Sequence, residues 1–307
     1  MAENNPYPGE NNTGHFWDDD SLRELDNPPP KWWMIALWAS VAWFVLYTIL
    51  YPSWPMPWLE GDGDKFTKGI LGWTSIEEYK EGMEEVKAVR SKFDEQIADM
   101  SPEQILQDPG LTQYTLASAK VLFGDYCAAC HGSGGKGNPG YPVLADDDWL
   151  WGGTLAKINE TITNGRKGNM VAHANLLTEQ EVDTLAKFAV ELNQGDKGSD
   201  EAWALYNSKG CSGCHGPTAN GVIAELPGGN VITVGAANLI DRIWRFKPGG
   251  YESAKHTILY GVNQDGVEQT RNAIMPGFAQ LGQLDGKLTP DQIKILTVYV
   301  HELGGGK

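Results

Sequence analysis

A chain of 307 residues with four cysteines is no disulfide-stapled scaffold, because two bridges would constrain very little of it. Its net charge of −16 makes nucleic acid and anionic lipid surfaces poor partners and suits a cationic soluble one. With 41% hydrophobic residues the chain has material for a folded core.

Residues 1–31 hold only Arg23 and Lys31 against seven acidic side chains, and His15 lies in this tail without a recognisable pattern around it. Between Lys31 and Glu60 there is no charge, and Trp32 to Tyr51 reads WWMIALWASVAWFVLYTILY. As a helix, twenty such residues span about 30 Å, enough to cross a bilayer. Trp32 and Trp33 at one end, with Tyr51, Trp54 and Trp58 at the other, fit an aromatic belt at each headgroup layer. Prolines 28–30 and Pro52, Pro55 and Pro57 bracket the run. A cleaved signal peptide would show a basic leader, a shorter apolar core and a small-residue site, so an uncleaved transmembrane helix is expected over 32–52.

Residues 53–109 read as a helical spacer. Thr74 and Ser75 precede Glu77 and Glu78 at capping-box spacing. Ile76, Tyr79, Met83, Val86, Val89, Phe93 and Ile97 then recur every three or four positions, a stripe suited to dock on a partner or, as the default expectation, on the domains that follow. Ser101 and Pro102 open a short second helix.

Beyond this the chain repeats itself. All four cysteines fall in Cys127-Ala128-Ala129-Cys130-His131 and Cys211-Ser212-Gly213-Cys214-His215. C-x-x-C-H is the signature of covalent haem c attachment: two thiols add to the vinyl groups of one porphyrin and the adjoining histidine reaches the iron. Zinc ribbons and dithiol redox centres also use C-x-x-C, but neither accounts for the histidine in both copies. Each motif follows an amphipathic helix and precedes a Gly- and Pro-rich stretch, a short helix, a methionine loop and a final helix. The final helices open alike, LTEQEV from Leu177 and LTPDQI from Leu288, with Thr178 and Thr289 as N-caps. The expected fold is all-α, with two tandem cytochrome c domains at 110–197 and 198–307 joined through Gly195–Ser199.

The face of each iron opposite the histidine decides its chemistry, and a methionine there favours electron transfer at raised potential. Met275, in Met275-Pro276-Gly277-Phe278, lies 60 residues after His215 just before the last helix. Met170 lies 39 residues after His131 in the equivalent place, with His173 as a competing donor. Local pairing, Met170 with the first haem and Met275 with the second, is the simplest expectation. Trp149, Trp151 and Trp244 are candidates to line the haem edges, and Arg166, Arg242 and Arg245 to pair with propionates. His256 and His301 read as structural. Because haem c is attached outside the cytoplasm, both motifs place the C-terminal part in the periplasm and residues 1–31 in the cytoplasm.

The anchor, the spacer, the two C-x-x-C-H motifs, the DDDWLWGG stretch and the terminal MPGF resemble the membrane-bound dihaem cytochrome c subunit (FixP or CcoP) of cbb3-type cytochrome c oxidases. The resemblance implies an inner-membrane protein with class I cytochrome c domains and two haems c, ligated axially by His131, Met170, His215 and Met275. It further implies electron transfer from a soluble periplasmic cytochrome c or a sister monohaem subunit toward a haem-copper catalytic subunit that reduces oxygen and pumps protons. Such a chain is a relay with no oxygen-reducing site of its own. The rival readings are a freestanding dihaem shuttle, a dihaem peroxidase and a haem-based gas sensor.

Overall fold

The computed structural model describes residues 7, 9–18, 21–54, 67, 69–227, 231–282 and 286–304. Of the sequence expectations, Trp58, Pro55 and Pro57 lie outside them. The chain divides into two compact units, residues 1–90 and 91–307.

In the first unit a small antiparallel hairpin, β1 (Asn12–Trp17) with β2 (Leu22–Leu25), precedes the apolar helix α1 (Lys31–Leu50). An eighteen-residue window of α1 has a mean hydropathy of 1.9, and none of the helix is buried within the protein. A helix apolar on every side finds no solvent match except lipid. Helix α2 (Ser75–Asp99) begins as its sequence dictates, the Thr74 hydroxyl accepting from the Glu77 amide at 3.1 Å. Ile76, Tyr79, Met83, Val86 and Val89 are exposed, whereas Phe93 and Ile97 pack in the core of the second unit.

The second unit is built of helices around two hydrophobic cores. One core gathers α3 (Pro102–Gln107), α4 (Pro109–Tyr126), α6 (Leu155–Asn164) and α11 (Pro290–Gly304), through Ile105, Phe123, Ile158, Ile162, Leu296 and Val298. The other gathers α7 (Glu179–Gln194), α8 (Asp200–Ser208) and α10 (Gly250–Tyr260) through Leu185, Phe188, Leu192, Tyr206 and Ile258. Capping boxes close the starts of α3 (Ser101 with Gln104) and α7 (Thr178 with Glu181), and Thr289 with Gln292 starts α11 in the same way.

Within this two-domain arrangement the final helices pack across the repeats. The final helix of the first repeat, α7, packs on α10 and α8 of the second, and the final helix of the second repeat, α11, packs on α4 and α6 of the first. The second lobe is therefore an insertion, and the chain returns to its first lobe to finish it. Both α7 and α11 present apolar faces behind Thr N-caps, Thr178 and Thr289. The C-x-x-C-H histidines sit on single turns, α5 (Ala128–His131) and α9 (Ser212–His215).

Candidate haem sites

Each C-x-x-C-H segment folds as one helical turn that follows the first helix of its repeat. In the first, the His131 and Cys130 amides donate to the Cys127 carbonyl at 2.9 and 3.1 Å; in the second, the His215 and Cys214 amides donate to the Cys211 carbonyl at 2.9 and 3.2 Å. The two thiols and the histidine of each motif thereby emerge from one turn, as attachment to a single porphyrin requires. The histidines are fixed alike: the Nδ1 of His131 lies 3.1 Å from the Pro142 carbonyl, and that of His215 lies 2.8 Å from the Ala237 carbonyl. A carbonyl can only accept, so Nδ1 carries the proton and Nε2 is left with its lone pair for a metal. Burial holds both imidazoles below the usual histidine range, which keeps them neutral. These two carbonyls are functional groups that sequence reasoning missed, and no residue type signals them because any backbone carbonyl serves.

The first thiol of each pair lies in an environment unlike that of a reactive thiolate. Burial pushes the Cys127 thiol up to about 11 and raises Cys211 as well, opposite to the depressed values of reactive thiolates. The pairs also belong to different cores, Cys127 to that of α4 and α11, Cys211 to that of α7 and α8.

A cavity of ≈ 730 Å³ opens over the second motif, lined by Cys211, Cys214, His215, Met170, His173 and Arg245 among others. Met170, from the first repeat, thus shares a wall with the histidine of the second. Met275 does the reverse. It packs on the core that contains Cys127, Ala128 and Phe123, beside Trp149 and Phe278. Backbone pairing enforces both placements. Strand β6 (Ile274–Met275) runs antiparallel to β3 (Arg166–Lys167), with Met275 opposite Arg166, while Met170 and Val262 exchange hydrogen bonds of 3.1 and 2.9 Å. Glycine permits each approach: a Cβ on Gly165, which ends α6 at φ +74°, would strike the Met275 carbonyl, and one on Gly261, which ends α10 at φ +66°, would strike the Met170 carbonyl. The two methionine loops are exchanged symmetrically between the lobes.

The residues fit a porphyrin with acidic substituents. Buried donors stand without partners at Trp149 Nε1, Arg166 Nη2 and His173 Nδ1. The Arg245 guanidinium is half-buried, its pKa lowered by burial against the opposing pull of the Asp148 and Asp241 carboxylates. Unpaired buried donors of this kind are costly unless an acceptor arrives. Trp151 lies over Arg166, its ring centroid 5.0 Å from the guanidinium carbon, while Arg242 is exposed and Trp244 lines the cavity. His301 ion-pairs with Glu302, but His256, expected to be satisfied, keeps a buried Nδ1 without a partner.

Three family models cover most of the chain: the N-terminal domain of cytochrome oxidase-cbb3, FixP, over residues 9–57, cytochrome c oxidase cbb3-type subunit III over 115–188, and cytochrome c over 199–304. The chain is 35% identical over 97% of its length to the cbb3-type cytochrome c oxidase subunit FixP of Azorhizobium caulinodans, covering 94% of that protein. It is 36% identical to the subunit CcoP of Azospirillum sp. (strain B510), with both chains covered in full. The chain belongs to the FixP/CcoP family. Its cytochrome c domains make it a haem c protein, and the function this assigns is electron transfer within the cbb3 oxidase.

Proposed function

We propose that this FixP/CcoP chain carries two haems c with exchanged methionines. Cys127, Cys130 and His131 hold the first, faced by Met275; Cys211, Cys214 and His215 hold the second, faced by Met170. The observation that carries this reading is the pairing of Met275 with Arg166 and of Met170 with Val262. Bound haem c supplies one-electron chemistry with little change of structure. The chain's own groups supply the rest. The carbonyls of Pro142 and Ala237 fix each imidazole, the methionine loops close the opposite faces, and the cores of α4 with α11 and α7 with α8 exclude water. Arg245 and Arg166 offer cationic donors to porphyrin carboxylates.

The segment after the first motif serves both sites. Pro142 accepts from His131, and Lys136 to Val143 with the exception of Gly140 also line the cavity at His215. The 136–143 segment would thus lie between the two haems, against both sites. In the cell, α1 anchors the chain in the inner membrane with residues 1–31 in the cytoplasm and the haem lobes in the periplasm. Electrons enter from a soluble cytochrome c or a monohaem subunit, drawn by the acidic surface, and leave toward a haem-copper catalytic subunit that performs the oxygen chemistry. The test is gentle solubilisation of the membrane. Haem b, copper and a monohaem cytochrome c are expected to co-purify with this chain, and oxygen consumption with a cationic cytochrome c donor is expected to stop when the chain is deleted. Recovery of the chain alone, with oxygen consumption unaffected by its deletion, would overturn the assignment.

A further inference from the structure

The C-terminal end of α1 is closed by chain from some twenty residues downstream. The Ile70 amide donates to the Ile49 carbonyl at 3.0 Å and the Leu71 amide to the Leu50 carbonyl at 3.1 Å. A second pair of contacts fixes the base of this return: the Thr67 amide donates to the Trp54 carbonyl at 2.9 Å, and the Thr67 hydroxyl accepts from the Ser53 and Trp54 amides at 3.3 and 3.2 Å. Gly69, at φ +68°, lies against the Leu50 carbonyl where a Cβ would collide. The last carbonyls of a helix in water need no such arrangement, because water satisfies them. In hydrocarbon or at its edge, an unsatisfied carbonyl costs several kcal/mol.

The side chains on this return match that environment. Ile70 is 76% exposed and Leu71 57%, and Trp73 packs edge-on against Tyr51 with ring centroids 5.9 Å apart. Trp54 meets Phe44 of α1 in the same manner at 6.0 Å. Exposed aliphatic side chains carried by a backbone that closes an apolar helix end, inside a ring of Tyr and Trp, continue the lipid-facing surface of α1 rather than begin a water-facing one.

We propose that residues 69–73 are a membrane-seated clip: Ile70 and Leu71 sit in the lipid at the headgroup boundary, with Trp73, Trp54 and Tyr51 at the interface, and their backbone completes the end of the span. The proposal rests on α1 crossing the bilayer, and the experiment separates the two. In the haem-loaded chain all four native cysteines are consumed in thioethers, so an introduced cysteine is the single free thiol. Leu71→Cys, Val45→Cys five residues inside the C-terminal end of α1 and Glu81→Cys on the polar face of α2 are each placed in the full chain, in phosphatidylcholine nanodiscs without other subunits. Their modification by a sulfonated, membrane-impermeant maleimide is followed by intact mass. Because water and thiolate are excluded from hydrocarbon, Leu71→Cys is expected to react about tenfold more slowly than Glu81→Cys, with Val45→Cys slower still. Equal rates for Leu71→Cys and Glu81→Cys while Val45→Cys stays protected would overturn the clip and leave the span intact. Rapid modification of Val45→Cys would overturn the span itself, and the clip with it.

Discussion

Replacing Met275 by leucine distinguishes exchanged from local ligation. Met275 is half-buried in the core of α4 and α11, and a Met to Leu exchange conserves volume, so the fold loses less than about 1.5 kcal/mol. Its pairing with Arg166 uses backbone atoms and is unaffected. The thioether donor alone is removed. Axial ligands set haem potentials over a range of about 0.8 V, and loss of methionine is expected to take on the order of 0.2 V of it. At 59 mV per tenfold for one electron, that is about three decades in the redox equilibrium, far above the effect of a small packing change. In a chain carrying Cys211→Ala and Cys214→Ala, only the haem at Cys127 and Cys130 remains. There Met275→Leu is expected to abolish the methionine-to-iron charge-transfer band and lower the potential, while Met170→Leu leaves both unchanged. With Cys127→Ala and Cys130→Ala instead, the two effects exchange. If Met170→Leu were the substitution that altered the haem at Cys127 and Cys130, the exchanged assignment would be refuted.

The packing of α11 on the first lobe makes a second expectation. Leu296 is fully buried there, so Leu296→Ala is expected to cost about 2–5 kcal/mol and to shift the spectrum of the first haem more than that of the second, measured by denaturant midpoint and haem absorbance. Thr178→Ala removes the N-cap of α7 and is expected to cost about 1 kcal/mol, felt at the second site, as read in the same titration. Burial raises the Asp241 carboxyl from 3.8 to about 6, so the folded chain binds a proton there that the unfolded chain has lost. Its contribution is fully present below pH 3.8 and lost as the pH rises through about 6; after discounting for solvent access this is on the order of 1 kcal/mol. Denaturant titrations at pH 4 and pH 7 are expected to show that part of the difference vanish in Asp241→Asn, and an undiminished difference would refute the account.

Much of the site was legible because its chemistry is local. Cys127 to His131 and Cys211 to His215 are five-residue strings whose spacing is the function, and the caps at Ser101, Thr178 and Thr289 are equally short-range signals. The apolar helix α1 was legible from hydropathy alone. What the sequence leaves undecided is long-range. Local pairing of Met170 with His131 and Met275 with His215 suits the spacings, yet the alternative depends on which core each of two similar helices enters. Nothing within LTEQEV or LTPDQI decides that, since both put a Thr N-cap ahead of an apolar face. The exposed stripe from Ile76 to Val89 is left undecided for the converse reason, as periodicity shows that a face is apolar without showing what covers it. The Pro142 and Ala237 carbonyls carry no residue signature at all.

The exchange of methionine loops bears on how a relay can be both stable and fast. Three backbone segments meet where the chain crosses between lobes: 166–170, 261–263 and 271–275. Asn263 ties them, its side-chain amide donating to the Gly168 carbonyl at 2.6 Å and to the Ala273 carbonyl at 3.1 Å, while its left-handed backbone at φ +50° is one that asparagine tolerates. Were the lobes serial domains on a linker, each site would keep its own ligands while the distance between them varied with every hinge motion. In the exchanged arrangement, separating the lobes would withdraw Met275 from the first site and Met170 from the second. Under the proposed ligation, the bonds that would complete each site are the ones that hold the two lobes together. Electron transfer falls steeply with distance and gains nothing from flexibility between its stations, so a chain whose ligation and spacing fail only together is suited to passing electrons onward.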